Sequence, residues 1–496
     1  MTLAALTGPS LPAPHVDDQI DWRFLLGGDA LGRVALAGPV EPAVREALAA
    51  HADVIADLGE PSAAPHDLVV LVDPDLATVR RAVDDLAPTG TIRIEQLARR
   101  RRSAVQRHLR GADLEVFAWW HRPSSTDSNC LIALDRPIAA ATVVRLVAGR
   151  GRRTPVEARL VRWSHVDRWA VAVSFLAARR GAPHPPIASP NGEPIAALIT
   201  PRFAASRAVI GVTTITGGRH LGQVAKVARH PSDDAMIVHE AELLDRFASV
   251  AGPVPAAPAT HRLVIAGGRI VLVEDAAQGS PLDRRAVRRA PGAALAAGVE
   301  WLERVPVAPP TSVRVDGRAH ALLTGPLRSL AARPAPDPME RDDLVGRATE
   351  ALEPLMDATL PGPFEHGDFS HPNLFRQPGG ELVAIDWELA EPLGLPLHDL
   401  LFFVSYLAES VDRPRDPVAL VAAHRRALGG DGWAQSAVTR YLKGCGVDPA
   451  LRPQLALACW TRYLAGRSAS LAPAGIPAHR YETLWRAAIS DAEAVR

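Results

Sequence analysis

The stretch Phe364–Glu388, "FEHGDFSHPNLFRQPGGELVAIDWE", gathers side chains that could do chemistry. Asp368 and Asn373 lie five residues apart in one loop. The segments "NLFRQ" and "ELVAID" flank a Pro-Gly-Gly turn, so a hairpin can bring Asp386 back beside Asn373. Two carboxylates and a carboxamide supply hard oxygen ligands and proton acceptors, a set that suits Mg²⁺ bound together with phosphates. The plainer reading of the same residues is a polar hairpin whose Asp and Asn cap turns.

The pattern H-G-D-x-x-x-x-N, followed by Ile-Asp-Trp-Glu, resembles the aminoglycoside phosphotransferase and choline kinase family, which shares the protein-kinase fold. The resemblance implies that Asp368 is the catalytic base orienting an acceptor hydroxyl. Asn373 and Asp386 would hold Mg²⁺ ions that bridge the phosphates of ATP or GTP. His366 would brace the loop, and His371 has no role. Glu388 would face either the acceptor or solvent. Asp399, in "LPLHDLLFF", matches a recurrent family aspartate and is either catalytic or a brace at a helix start.

A phosphotransferase of that fold needs a lysine on its third strand, paired with a glutamate on the next helix. This chain has two lysines, Lys226 and Lys443, against 53 arginines (55 basic residues less two). Asparagine is as scarce, at positions 129, 191 and 373. A surviving lysine or asparagine then marks a position where Arg or Asp would fail. Lys226 sits in the alternating segment "QVAKVAR", and "RHPSDD" after it can cap a helix over "DAMIVHEAELLDRF". Ile237, Ala241 and Leu244 form its apolar stripe. Glu240 flanks that stripe and Glu242 points nearly opposite, so Glu240 is the expected partner of Lys226.

"RIVLVEDAAQGSPLD" reads as a fifth strand and a hinge between lobes. By the resemblance, backbone groups of Glu274, Asp275 and Ala276 would meet the adenine or guanine edge, and Gly279 would let the chain turn away. The phosphate-covering loop would fall in "ITPRFAASRAVIG", which has no glycine before Gly211. "TGGRHLG" fits better as the turn between the second and third strands.

The elements that must position these groups divide at "RRGAPHPPIASPNGEP", a proline-rich linker. The fold class expected is multidomain, α/β and α+β. Residues 1–180 form an N-terminal Rossmann-like sheet and 181–194 the linker. Residues 195–280 form a kinase-like N-lobe and 281–496 a helical C-lobe, together a bilobal protein-kinase-like fold. In the first part, strands "RVALAG", "DVIADL", "HDLVVLVDP" and "TIRIE" alternate with helices "EPAVREALAAHA" and "LATVRRAVDDL", which argues for a parallel sheet. With "LAPTGTIRIE" and the later "RGADLEVFAWWHRP", this order loosely resembles the S-adenosylmethionine-dependent methyltransferases. The first strand–helix turn, "LAGPVEPA", carries one glycine and two prolines, a poor cradle for a cofactor. Asp57 is the candidate for the ribose hydroxyls. The expectation is a degenerate domain that no longer methylates.

Formal net charge is zero, which gives no broad attraction to nucleic acid or anionic lipid. The run Arg99–Arg102 reads as a solvated surface segment. Cys130, Cys445 and Cys459 have no regular spacing, which argues against disulfides and structural zinc and fits a reducing compartment. No apolar run is long enough to span a membrane and no secretory signal is legible, so the cytoplasm is the expected location. The arginine-rich C-terminal region favours a neutral or anionic small-molecule hydroxyl acceptor, such as a sugar or sugar derivative. The rival expectations are an inactive pseudokinase scaffold and a bifunctional methyltransferase–kinase fusion.

Overall fold

The computed structural model describes residues 16–26, 30–62, 64–123, 128–134, 143, 173–179, 195–201, 208–214, 221–251, 257–258, 260–471 and 479–495. The chain groups into two compact units. One comprises Pro14–Val238 with Thr260–Ala276, and the other His239–Ala259 with Ala277–Arg496.

The first unit is built on one twelve-stranded sheet. Its strands are β1 (Arg33–Ala37), β2 (Val54–Asp57), β3 (His66–Val72), β4 (Leu86–Glu95), β5 (Leu114–Pro123) and β6 (Ser128–Ala133). They continue with β7 (Val173–Arg179), β8 (Ala197–Pro201), β9 (Ala208–Thr214), β10 (Leu221–Ala228), β11 (His261–Ala266) and β12 (Arg269–Asp275). The spatial order is β11-β12-β10-β9-β8-β6-β5-β7-β4-β3-β1-β2. β2, β1, β3 and β4 run parallel, as the strand–helix alternation requires. Every other pairing is antiparallel.

Sequence analysis divides these strands between two domains, with a linker at 181–194 that lies outside the described residues. The strands on either side of it nevertheless share one sheet. β6 pairs with β8 from Ser128↔Pro201 to Ile132↔Ala197. Such a junction joins two apolar strands without a local motif, because main-chain pairing is indifferent to side-chain type.

Helices α1 (Pro42–His51), α2 (Leu76–Asp84) and α3 (Arg99–Gly111) flank the parallel strands. Asp75 caps α2 by accepting from Thr78 N at 2.8 Å. Val79, Ala82, Val105 and Leu109 from α2 and α3 pack with Val69, Leu71, Ile92 and Ile94 on one face. The opposite face is a longer core. It holds Ile20, Trp22 and Phe24 from the 3-10 segment Val16–Leu25, Val34 and Leu36 from β1, and Ala225, Val227, Val271 and Val273 from β10 and β12. The arginine run is only partly solvated. Arg99 and Arg100 are exposed, but Arg102 is buried with Nε donating to Leu97 O, and Arg101 pairs with Asp73. The run lies on an amphipathic helix, so its last two members turn inward.

The second unit is mainly helical. The helix α4 (Asp234–Ala251) starts in the first unit and runs into the second. It is followed by α5 (Arg284–Arg289), α6 (Pro291–Leu302), α7 (Gly325–Ala331), α8 (Pro338–Met356), α9 (His398–Asp412), α10 (Pro417–Leu428), α11 (Gln435–Gly444), α12 (Arg452–Leu471) and α13 (His479–Glu493). α9 is almost wholly buried, with Leu400, Phe402, Phe403, Val404 and Leu407 at 0% exposure. Three short strands, β13 (Ser280–Pro281), β16 (Leu374–Arg376) and β17 (Leu382–Ala384), form a small sheet, and β14 (Val307–Ser312) pairs with β15 (Thr359–Pro363). Among the described residues, no helix is long and apolar enough to cross a membrane.

Candidate active site

The loop Glu365–Asn373 follows β15 and feeds into β16. β16 and β17 pair antiparallel from Leu374↔Ala384 to Arg376↔Leu382, and Ile385 N donates to Asn373 O at 3.0 Å. The hairpin therefore returns Asp386 to the end that Asn373 occupies. Asn373 lies in the short 3-10 turn His371–Asn373, and its Nδ2 donates to Asp368 O at 3.1 Å. That bond turns the amide nitrogen toward the loop and leaves Oδ1 as the ligand-type atom.

His366 is wholly buried and locks the loop. Its Nδ1 accepts from Asp368 N at 3.2 Å, so Nε2 carries the proton and donates to Ile385 O at 3.0 Å. One imidazole thereby ties Asp368 to the residue before Asp386. Asp399, the second residue of α9, accepts from His366 N at 2.6 Å through Oδ2 and from Gly367 N at 3.0 Å through Oδ1. It braces the loop. Burial, followed by the neighbouring Glu365 carboxylate, lifts its pKa to about 7, against the pull of the two N–H donors. Gly367 has φ +78°, and a Cβ there would meet Leu389 O at 2.0 Å. Only glycine fits. Asp386 itself has φ +71°, a left-handed backbone uncommon for a non-glycine residue and concentrated at functional sites.

Trp387 is fully buried against Phe247 at 4.4 Å and His366 at 4.8 Å between ring centroids. Anchoring it aims its two neighbours, Asp386 and Glu388, away from the core. Its main-chain N donates to Glu240 Oε1 at 3.1 Å. Glu240, Asp386 and Glu388 each offer a carboxylate oxygen within 4.8 Å of the others. The helical periodicity places Glu240 inward and Glu242 outward, and the structure has Glu240 buried and Glu242 exposed. The sequence alone points Asp386 and Asn373 toward metal and leaves Glu388 between two roles. The Glu388 side chain joins the carboxylate group, and the Asp-x-Glu spacing around a buried tryptophan is the signal that could have found it. Asp368, Asn373, Asp386 and Glu388 are half-buried.

Sequence reasoning does not reach the outer supports of the loop. Tyr463 OH donates to Gly367 O at 2.5 Å, held by stacking on Phe402 with centroids 3.9 Å apart. Arg462 Nη1 meets both Glu365 oxygens, at 2.7 and 3.0 Å, and Glu365 Oε1 also accepts from Leu395 N. The tyrosine and arginine contacts join residues 96 and 97 positions apart in sequence, with no local pattern to announce them. His371 is buried beside Ser410 Oγ at 2.8 Å, and burial lowers its pKa to about 4, so it is neutral.

In the first unit, Lys226 lies mid-strand on β10 between Ile210 of β9 and Leu272 of β12, at 6% exposure. Glu274 and Asp275 end β12. Asp275 N donates to Thr260 O at 3.0 Å and Ala276 N to Gly222 O at 3.1 Å. Those two donors are used between neighbouring strand ends. In the second unit, Gly279 has φ +99°, and a Cβ there would lie 2.1 Å from Arg376 O. It lets β13 close on the β16–β17 hairpin, with Ser280↔Arg376 and Pro281↔Phe375. The expected covering loop, 202–207, and most of "TGGRHLG" lie outside the described residues.

No curated protein matches the chain by sequence. Among solved structures, a choline kinase from Streptococcus pneumoniae aligns with TM-score 0.38 and 11% identity, covering 58% of this chain and 90% of that one. A glucosamine kinase aligns with TM-score 0.34 and 16% identity over 57% and 75% of the two chains. An aminoglycoside phosphotransferase from Streptomyces rimosus aligns with TM-score 0.32 and 16% identity over 56% and 89%. The family model described as "Phosphotransferase enzyme family" matches residues 214–438, slightly under half of the chain and inclusive of Lys226, Asp368, Asn373 and Asp386. Over that segment the chain is similar to phosphotransferases.

Proposed function

We propose that the protein is a small-molecule kinase that moves the γ-phosphate of ATP or GTP onto a hydroxyl of a neutral or anionic metabolite, a sugar or sugar derivative fitting best. The observation that carries this reading is the braced loop itself: His366 holds Asp368 on one side and the Asp386 hairpin on the other. In this reading Asp368 accepts the proton of the attacking hydroxyl. A general base contributes about 10²–10⁴ in rate.

The donor set fits Mg²⁺. Asp386, Asn373 and, from the same carboxylate group, Glu388 offer only oxygen ligands, and the carboxylates converge within 4.8 Å. Mg²⁺ bound there would neutralise phosphate charge. Glu240 is the residue read as orienting Lys226, which would contact the α- and β-phosphates. Lysine serves there as a compact point charge where the guanidinium fork is too wide. A nucleotide base would be read by main-chain groups around Glu274–Ala276.

The N-terminal strands β1–β7 are read as a degenerate methyltransferase-like scaffold that does not methylate. The turn after β1 supports this, because Gly38 is its one glycine and a Cβ there would meet Val72 O at 2.1 Å, so the turn is closed on β3 rather than opened for a cofactor.

The test is direct detection of γ-phosphate transfer across sugars, amino alcohols and amino acids, with Asp368→Asn as the control. The variant should lose transfer by at least about 10² while binding nucleotide as the parent does. Undiminished transfer by Asp368→Asn would refute the assignment.

A further inference from the structure

The 3-10 segment Val16–Leu25 reaches across the first unit to the exit of β10. Asp21 accepts two bonds from Arg229, at 2.6 Å to Nη2 and 3.1 Å to Nε. Arg23 Nη2 donates to the Arg229 carbonyl at 2.6 Å. Asp21, Arg23 and Arg229 are 4%, 1% and 5% exposed, so the arrangement is inside the protein, where a fork-to-carboxylate pair fixes geometry as well as charge. The neighbouring carbonyl, Ala228 O, takes Arg269 Nη2 at 2.8 Å, and the same nitrogen meets Asp234 Oδ1 at 2.9 Å at the start of α4.

Arg229 is three residues beyond Lys226 on the same strand. The β9 ladder ends at Ala228↔Ala208 and the β12 ladder at Val227↔Val271. Past that point the ladder no longer sets the backbone, and two buried guanidinium groups take over its carbonyls. Arg269 belongs to β12, a sheet neighbour. Arg23 and Asp21 belong to the N-terminal segment, 206 and 208 residues away from Arg229 in sequence.

We infer that Asp21 and Arg23 are positioning residues for Lys226, so that the N-terminal segment is part of the nucleotide-binding apparatus of the phosphotransferase domain. The inference rests on the reading of Lys226 as the phosphate contact. It gives the fused twelve-stranded sheet a purpose, since the first half fixes the strand that the second half uses.

The scarcity of lysine supplies the assay. A lysine-acylating reagent can mark two side chains, buried Lys226 and exposed Lys443, and mass spectrometry reads their ratio in the full-length folded protein. In Asp21→Asn the Lys226:Lys443 ratio should rise roughly threefold or more as the strand exit loosens. The nucleotide KM should rise about tenfold with the acceptor KM unchanged. Arg23→Met keeps the Asp21–Arg229 pair and removes the bond to the carbonyl, together with the longer Arg23–Asp21 contact at 3.9 Å, so it carries the test if Asp21→Asn does not fold. Asp21→Glu keeps the charge and should restore most of the parental ratio. An unchanged ratio in either folded variant overturns the inference, as does a purely structural outcome of lowered Tm with unaltered KM. The phosphate role is tested separately: ATP or GTP should slow labelling of Lys226 in the parent. If it does not, while the ratio still responds to Asp21, the phosphate reading fails and the positioning of Lys226 by Asp21 and Arg23 stands.

Discussion

β10 and the loop Glu365–Asn373 each hold a charged side chain that the phosphotransfer reading needs, and they hold it by different means. Lys226 sits in a strand with a ladder on both sides, so many equivalent main-chain bonds share its placement. Asp368 sits in a loop whose one main-chain bridge, Glu365↔Glu391, lies at its start. There the N–H and C=O groups around Asp368 are held by side-chain pegs: Asp399 on His366 N and Gly367 N, Tyr463 on Gly367 O, His366 on Asp368 N, Asn373 on Asp368 O. A ladder spreads the loss of any one bond over its neighbours, whereas a pegged loop cannot. Changes to the pegs should therefore cost activity out of proportion to stability.

Gly367→Ala should give the largest effect. The added methyl meets Leu389 O at 2.0 Å on a backbone at φ +78°, so the loop must move. A displacement of about 1 Å at a catalytic group costs about 10² in rate, and this one lies next to Asp368. The expected outcome is transfer reduced about 10²-fold or more with far-UV circular dichroism unchanged. A variant with parental kcat would show that the loop tolerates what the strand does.

Lys226→Arg tests the strand half of the comparison without touching its ladder. Charge is kept and shape is lost. A kcat/KM for nucleotide lower by about 10–10² is expected, with Tm within a few degrees of the parent. Parental kinetics would mean that the site reads charge alone.

Tyr463→Phe removes the hydroxyl peg on Gly367 O and keeps the ring. The loss of a single hydroxyl bond is worth about 1 kcal/mol in stability. A few-fold fall in kcat with unchanged nucleotide KM is expected, measured alongside urea denaturation. A fall in stability with kcat untouched would place Tyr463 outside the catalytic support.

These contrasts follow the division between what the sequence makes legible and what it hides. The H-G-D-x-x-x-x-N loop and its hairpin are readable because their partners are close together in sequence and joined by a turn that allows one return path. Glu240 is readable because the helical period fixes which face is inward. The β6–β8 junction is not, since two apolar strands pair through main chain that looks alike everywhere. The Asp21–Arg229 and Glu365–Arg462 pairs are hidden for a related reason: each is a common ion pair whose partners only tertiary packing brings together. Arg102 departs from the solvated reading because a run of like charge suggests solvent, while the helix it lies on has an inner face.

The smallest expected signal is a pH dependence confined to one peg. Asp399 has its pKa raised from 3.8 to about 7, first by burial and then by the Glu365 carboxylate. The folded protein thus binds that proton more tightly than the unfolded chain. Its contribution to stability is complete below about pH 4 and is withdrawn as pH climbs toward 7. An asparagine side chain in its place cannot be titrated and offers one acceptor oxygen instead of two. The Tm of the parent minus that of Asp399→Asn should therefore be largest near about pH 4, shrink by a few degrees up to about pH 7 and level off above it. A difference that grows with pH over that window would mean that the two N–H bonds outweigh burial, and that Asp399 holds the loop as a full carboxylate throughout.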